Sequence, residues 1–388
     1  MRRYLILLNL VWLLAFAGLV GSGWLIDPYR IFHKPWFGQG YYVSDGQMRD
    51  AVAGIINTEK FDSVILGSSM AANFSAKEAS QIFQRPFVNI SMDGSGIMER
   101  SRVLDYALQR RKITEVIFSF DWASLDKQSI TNTPLAPYLY LYDKNRTNDL
   151  QIYTTNFKAQ RYALCQSSFF SNSRLCKDRK KSLEDLVGWH SNEDDRKRFG
   201  GLDNWLDPGN HSRIREALQA VTTSIDAIEA GQVKPVDRAA LARVKSQRQQ
   251  VFENTIMRIA AEYPDTRFYL FFPPYSRLRY ALLQQSTPEE FESYLDVLRF
   301  VVEVCSRYPN VTVFGFETEN FLDDIANYKD TSHYHQRYNS AMLVWMKAGK
   351  HQLTPSNVDA YIQEISERAA NCQLKDIGRK ISNYLSKP

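Results

Sequence analysis

The sequence predicts an α/β fold in three layers, with helices on both faces of a mostly parallel sheet. One transmembrane helix precedes it, and a largely helical, irregular insertion interrupts it. Two observations predict the fold. Between residues 63 and 120, short apolar runs rich in Val, Ile and Phe alternate with amphipathic stretches, in the order strand, helix, strand, helix, strand. Two more such runs, at 267–272 and 311–316, return in the second half with helical sequence between them. Right-handed crossovers then place any chemistry at the carboxyl ends of the strands.

Composition narrows the function classes. Lys and Arg number 48 against 43 Asp and Glu, a formal net charge of +5. Spread over 388 residues, this lacks the dense basic stripe of a nucleic-acid binder, so no nucleic-acid partner is expected. Hydrophobic residues at 44% and charged residues at 23% exclude disorder as the main character. A mean hydropathy of −0.38 excludes a polytopic membrane protein. Aromatic residues reach 13%, which suits a buried core or an aromatic-lined groove. The length suits one large domain with insertions, or two domains.

The apolar run at residues 4–26 is interrupted only by Asn9 and Ser22, and it is long enough to span a bilayer. Arg2 and Arg3 precede it and favour a cytoplasmic N-terminus with the rest of the chain outside. A cleaved signal peptide is the alternative, with small residues at Gly21-Ser22-Gly23 near a cut. The run exceeds the usual signal-peptide core of about 7–15 residues, which favours an uncleaved anchor over residues 1–27. Residues 28–43, rich in Pro, Gly and aromatic side chains, read as a juxtamembrane linker. The remaining 44–388 read as one domain with an insertion at about 129–211.

Within that domain, 44–60 reads as a helix. SVIL at 63–66 reads as a buried strand ending in Gly67-Ser68-Ser69, and 71–83 as a helix. PFVNI at 86–90 is a second strand, followed by Gly94 and Gly96. Residues 98–110 are an amphipathic helix and TEVIFSF at 114–120 a third strand. The insertion is polar and includes Cys165 and Cys176 in a Ser-rich stretch. These are either bridged, as an oxidising compartment permits, or free. Residues 214–261 are helical, broken near Gly231 and Pro235. RFYLFF at 267–272 is a strand, 288–307 a helix, VTVFGF at 311–316 a strand, and the chain from 339 mostly helical.

Two motifs carry chemistry. Gly67-Ser68-Ser69 stands where a strand ends and a helix opens. A hydroxyl there is exposed and rigid, beside backbone N–H groups ready for a developing oxyanion. Asp330-Thr331-Ser332-His333 follows the last predicted strand. An imidazole and a carboxylate in one loop turn can serve a serine as base and orienting group. The fold would bring both motifs to the same edge of the sheet. His33, His190, His211 and His351 show no partner pattern and read as surface or loop residues. No Cys or His spacing suits zinc, so neither a metal nor a cofactor is expected.

The blocks VILGSSM (64–70), NISMDGSG (89–96), VIFSFD (116–121), FYLFFPP (268–274) and YKDTSHYH (328–335) resemble the SGNH, or GDSL-type, hydrolase superfamily. The resemblance is to its membrane-anchored cell-envelope branch, which includes D-alanyl-lipoteichoic-acid transfer and alginate-type O-acetylation proteins. It runs in order over residues 44–346, with the middle unmatched. It implies Ser69 as nucleophile and His333 with Asp330 completing the triad. It also implies Ser69 and Gly94 as backbone oxyanion donors, with Ser91 the alternative to Gly94. The family's third block carries an Asn donor; here Asp121 stands in its place and becomes a substrate-binding or structural residue. An anionic Asp121 would repel an oxyanion unless protonated or turned away. His335 reads as a substrate or packing residue.

The implied activity is serine-dependent acyl transfer or ester hydrolysis on an exported or cell-envelope polysaccharide, with O-acetyl transfer the expected form. The implied location is the outer face of a bacterial-type cytoplasmic membrane, beside a multispan acyl-donor protein. Tyr138, Tyr140 and Trp205 of the insertion either stack on sugars or pack on the body. The competing readings are a catalytically silent scaffold or glycan-binding partner of the same fold, and a secreted lipase-like hydrolase.

Overall fold

In a computed structural model, the described residues are 2–386 other than 35, 37–40, 42–47, 126–133, 167–175, 177–181, 185, 191, 208 and 210–211. The fold is α/β, built on a mixed, mostly parallel six-stranded sheet and preceded by one apolar helix, α1 (Arg2–Ile26). This helix is long and apolar enough to cross a membrane, and its apolar window is fully exposed. At its end the Asp27 carboxylate accepts the backbone N–H groups of Ile31, Phe32 and His33 at 2.7–2.9 Å. That turn folds Tyr29 and Ile31 into the core against α2 (Val52–Thr58). Residues 28–33 of the expected linker therefore pack on the domain. Of the helix expected at 44–60, residues 44–47 lie outside the described residues. The rest is a 3-10 turn at Met48–Asp50 followed by α2.

The strands are β1 (Ser63–Leu66), β2 (Phe87–Asn89), β3 (Glu115–Ser119), β4 (Arg267–Phe272), β5 (Val311–Gly315) and β6 (Gln352–Leu353). They lie in the order β2-β1-β3-β4-β5-β6. The first five pair in parallel, with Val64 opposite Val88 and Val116, and Leu270 opposite Phe118 and Val313. β6 runs antiparallel to β5. The central strands are apolar without alternation because helical crossovers bury them; Ile65, Ile117, Phe118 and Leu270 have no exposed surface. Each such side chain contributes roughly 1.5–3 kcal/mol of burial free energy. From β1 the chain crosses first to β2 on one side and then to β3 on the other. The crevice between the ends of β1 and β3 is therefore the switch point where ligands are expected in such sheets.

The crossovers are α3 (Ala76–Phe83) and α4 (Ile97–Arg110). α3 starts five residues later than the sequence reading placed it. The Asn89 side-chain amide donates to the carbonyls of Ala71 and Phe74 at 2.9 Å, which holds 71–75 as an open turn. Ser75 then caps the helix, accepting the Glu78 N–H at 3.0 Å. α5 (Phe157–Gln166) belongs to the insertion and packs against α1. Cys165 is disulfide-bonded to Cys176, whereas Cys305 and Cys372 are free. α6 (Ser212–Glu229) and α7 (Arg238–Phe252) are separated by the expected break around Gly231 and Pro235. α8 (Arg277–Ser286) and α9 (Pro288–Cys305) lead into β5; Pro288 opens α9 with Glu289 and Glu290 in its first turn. α10 (Arg337–Lys347), α11 (Val358–Ala370) and α12 (Leu374–Leu385) close the chain.

Candidate active site

The site begins where β1 stops. A Cβ at Gly67 would lie 2.6 Å from Ser119 Cβ on β3 and 2.5 Å from Ala71 Cβ, so only glycine lets the chain turn there. Ser69 follows at the crest of the turn, partly exposed. The histidine arrives from the other end of the sequence. Tyr328 and Tyr334 form an antiparallel bridge, and the Lys329 N–H donates to the His333 carbonyl at 3.0 Å. Asp330-Thr331-Ser332-His333 is thus the tip of a tight hairpin. Ser276, after β4, pins that tip by donating its N–H and Oγ–H to the Thr331 carbonyl at 3.2 and 2.6 Å.

Ser69 Oγ lies 2.9 Å from His333 Nε2. His333 Nδ1 lies 2.8 Å from Asp330 Oδ2 and 3.0 Å from Oδ1. Asp330 Oδ1 also accepts the N–H groups of Ser332 and His333, each at 2.8 Å. Burial pushes the Asp330 carboxyl up, but the imidazole charge, the ring hydrogen bond and the two amides outweigh it. The net effect holds Asp330 well below the usual carboxylate range. An ionised Asp330 accepts the Nδ1–H hydrogen bond and keeps the ring proton on Nδ1, so the Nε2 lone pair faces the Ser69 hydroxyl. The three side chains stand in the arrangement of an activated serine.

They open onto a cleft of about 450 Å³ lined by Ser69, Gly94, Asp121, Ser124, Tyr275 and His333, among others. The backbone N–H groups of Ser69 and Gly94 donate to no acceptor among the described residues. Gly94, with φ +63°, takes a left-handed turn there. Ser91 is not the alternative donor: its N–H is spent on Asn89 Oδ1 at 3.0 Å and the residue is buried. Asp121 lines the cleft, but its charge is already met. Arg100, fully buried, donates Nη1–H to Asp121 Oδ2 at 3.0 Å, and Tyr275 donates its hydroxyl to Oδ1 at 3.3 Å. Burial and the Asp121 charge raise the Tyr275 hydroxyl far above its usual range, so it stays protonated and donates. The repulsion expected from a bare carboxylate is thereby offset.

His335 is not among the cleft residues; its ring meets Phe199 edge-on at 5.0 Å and its Nδ1 accepts the Arg337 N–H. Trp205, read as a sugar-stacking candidate, is buried, with Nε1–H on the Tyr328 carbonyl at 3.1 Å. Tyr138 and Tyr140 pack partly buried on the core. His33 stacks on Trp36 beside Trp24 at the end of α1, and His351 sits 3.5 Å from Glu319. His190 gives its backbone N–H to Asn73 Oδ1, and His211 lies outside the described residues. Among the described residues no group of three or more His, Cys, Asp or Glu is placed to hold a metal ion.

Several residues at the site carried no sequence signal. Trp189, from the insertion, donates Nε1–H to the Ser69 carbonyl at 3.0 Å and meets the His333 ring edge-on. Asn73, Arg100 and Tyr275 join through space, at spacings no motif records. In comparisons with known proteins, no family model, no curated protein and no solved structure matches this chain.

Proposed function

We propose that the protein is a serine-dependent acyltransferase or esterase with an SGNH-type fold, acting on an exported or cell-envelope glycan. The observation that carries this reading is the line of Ser69 Oγ, His333 Nε2, His333 Nδ1 and Asp330 at 2.9 and 2.8 Å, beside two amide donors that have no acceptor among the described residues. In this reading His333 Nε2 takes the Ser69 proton as Oγ attacks an ester carbonyl. Ionised Asp330 stabilises the imidazolium, and the Ser69 and Gly94 N–H groups hold the oxyanion. The leaving oxygen departs with the proton from Nε2, and an acyl-serine remains. Water or a sugar hydroxyl then gives its proton to Nε2 and attacks the acyl carbon; the acyl–Oγ bond breaks and Nε2 returns the proton to Ser69 Oγ. Because Arg100 neutralises Asp121, the cleft suits an uncharged acyl group such as acetyl.

A domain outside the cytoplasm is part of this reading. Arg2 and Arg3, which open α1 ahead of its apolar run, favour a cytoplasmic N-terminus, which in this reading leaves the domain on the outer face of the membrane. The Cys165–Cys176 bridge fits an oxidising compartment. The second reading, a silent scaffold of the same fold, draws on Asp121 standing where an Asn donor is expected. One experiment separates them. A fluorophosphonate probe should label Ser69 in the intact protein, and Ser69→Ala and His333→Ala should each abolish p-nitrophenyl acetate hydrolysis without loss of folding. Absence of labelling and of hydrolysis would leave the scaffold; full activity in Ser69→Ala would remove the nucleophile assignment.

A further inference from the structure

We infer that Trp189, contributed by the insertion, is a positioning residue for the Ser69–His333 pair; this rests on the reading of Ser69 as a nucleophile. Ser69 and His333 come from opposite ends of the chain, and the hydrogen bond between them is their direct link. Trp189 touches both. Its Nε1–H donates to the Ser69 carbonyl at 3.0 Å, and its ring meets the His333 imidazole at 87°, with centroids 5.5 Å apart. An indole held in this way limits how far the nucleophile turn and the imidazole can drift relative to each other.

The indole is itself fixed from three directions. Asn73 Oδ1, on the turn after Ser69, accepts the Trp189 backbone N–H at 3.0 Å. Lys329 Nζ lies over the ring, 3.6 Å from its centroid, and is anchored by Asp195 Oδ1 at 2.9 Å. Phe199 runs parallel to the ring with centroids 6.3 Å apart. Lys329 also belongs to the histidine hairpin, since its N–H closes on the His333 carbonyl. The indole N–H is spent on backbone and the ring face is covered by an ammonium group. That arrangement suits a brace better than a platform for a sugar ring.

A brace and a substrate wall differ in kinetics. Loss of a brace lowers the rate of attack by Ser69 on any acyl group and leaves binding of a small ester unchanged. Trp189→Phe keeps an aromatic ring and removes the N–H donor; Trp189→Ala removes both. The full chain in detergent is assayed for the rate of fluorophosphonate labelling of Ser69, and for kcat and KM on p-nitrophenyl acetate. Both variants should label about ten- to a hundredfold more slowly. kcat should fall in step, KM should stay within about twofold, and Trp189→Phe should retain the parent melting temperature. Labelling at the parent rate in either variant would overturn the inference. So would a rise in KM with kcat unchanged, which would make Trp189 a substrate contact. A parent protein that the probe does not label would remove the nucleophile reading, and this inference with it. Labelling that is normal in the parent and in Trp189→Phe removes the inference alone.

Discussion

Tyr334 donates its hydroxyl to the Met70 carbonyl at 2.9 Å. One residue past His333 is thus tied to one residue past Ser69, and the tie is fully buried. It ties the Ser69 turn to the histidine hairpin, as Trp189 does from the insertion side. Tyr334→Phe keeps the ring and leaves the Met70 carbonyl without its donor. Stability should fall by about 1–3 kcal/mol, the cost of an unmet buried group. Turnover of p-nitrophenyl acetate should fall by roughly tenfold with KM little changed. Chemical denaturation and steady-state kinetics on the same preparation check both; an unchanged kcat would remove the tie from the working site.

Asp330 sets the His333 tautomer, so Asp330→Asn should be far worse for activity than for folding. The Asn amide can present N–H to Nδ1, which moves the ring proton to Nε2 and turns the base away from Ser69. A loss of about 10³–10⁴-fold in kcat is expected. The pH dependence has a definite sign. Because the folded carboxyl is held below its unfolded value, its contribution to stability is complete above the normal carboxylate range near pH 4. It fades as the pH falls toward the depressed value. Acid titrations should therefore show a steeper loss for the parent than for Asp330→Asn. Parallel acid limbs would mean that the Asp330 carboxyl is not held below its usual range.

The sequence revealed those parts of the fold whose physics is local. β1, β3, β4 and β5 stand out because strands buried on both faces carry continuous apolar runs, as at 64–66 and 270–272. β6 does not, because Gln352–Leu353 is too short for any periodicity, and only its partner β5 makes it a strand. The late start of α3 was hidden for a similar reason. The open turn depends on Asn89, a residue of β2 whose amide reaches back to carbonyls 15 and 18 residues earlier. At the site, Ser69, Asp330 and His333 were legible because a nucleophile turn and a short Asp-Thr-Ser-His tip have a fixed spacing. Trp189 and Arg100 were not: each meets its partner across a fold boundary, and neither position has a local signature. The burial of Trp205 shows the reverse case, in which a polar-looking stretch conceals a core residue.

The Arg100–Asp121 pair is a further test of how the cleft is balanced. Arg100 is fully buried and also donates to the Ser119 carbonyl. Asp121→Leu would leave its guanidinium with no carboxylate and should cost about 3–5 kcal/mol. Asp121→Asn keeps an oxygen for Arg100 and adds a neutral donor at the cleft. It should cost less, and kcat should be equal to or above the parent, because the residue then resembles the Asn donor of the expected hole. A kcat far below the parent in Asp121→Asn, with the fold intact, would instead make the Asp121 charge part of the chemistry.

Glu317, just after β5, offers a stability switch independent of the site. It has no exposed surface. Tyr294 donates to its Oε1 at 2.6 Å, Tyr361 donates to its Oε2, and the Phe316 N–H donates to Oε2 at 2.8 Å. Burial still dominates and pushes its carboxyl up to about 7. Between the unfolded value near 4.5 and that value, the native state holds a proton the unfolded chain has released, so stability falls as the pH rises. The contribution is complete below about pH 4.5 and lost by pH 8, a change of up to about 3 kcal/mol. Asp50 and Asp149, raised by burial to about 6 and about 7, act in the same direction, so the parent alone does not isolate Glu317. Glu317→Gln does. The stability difference between parent and Glu317→Gln should shift against the parent across that window and level off above it. A difference that stays flat from pH 4.5 to 8 would show that Glu317 enters the fold already ionised, held by the two tyrosine hydroxyls.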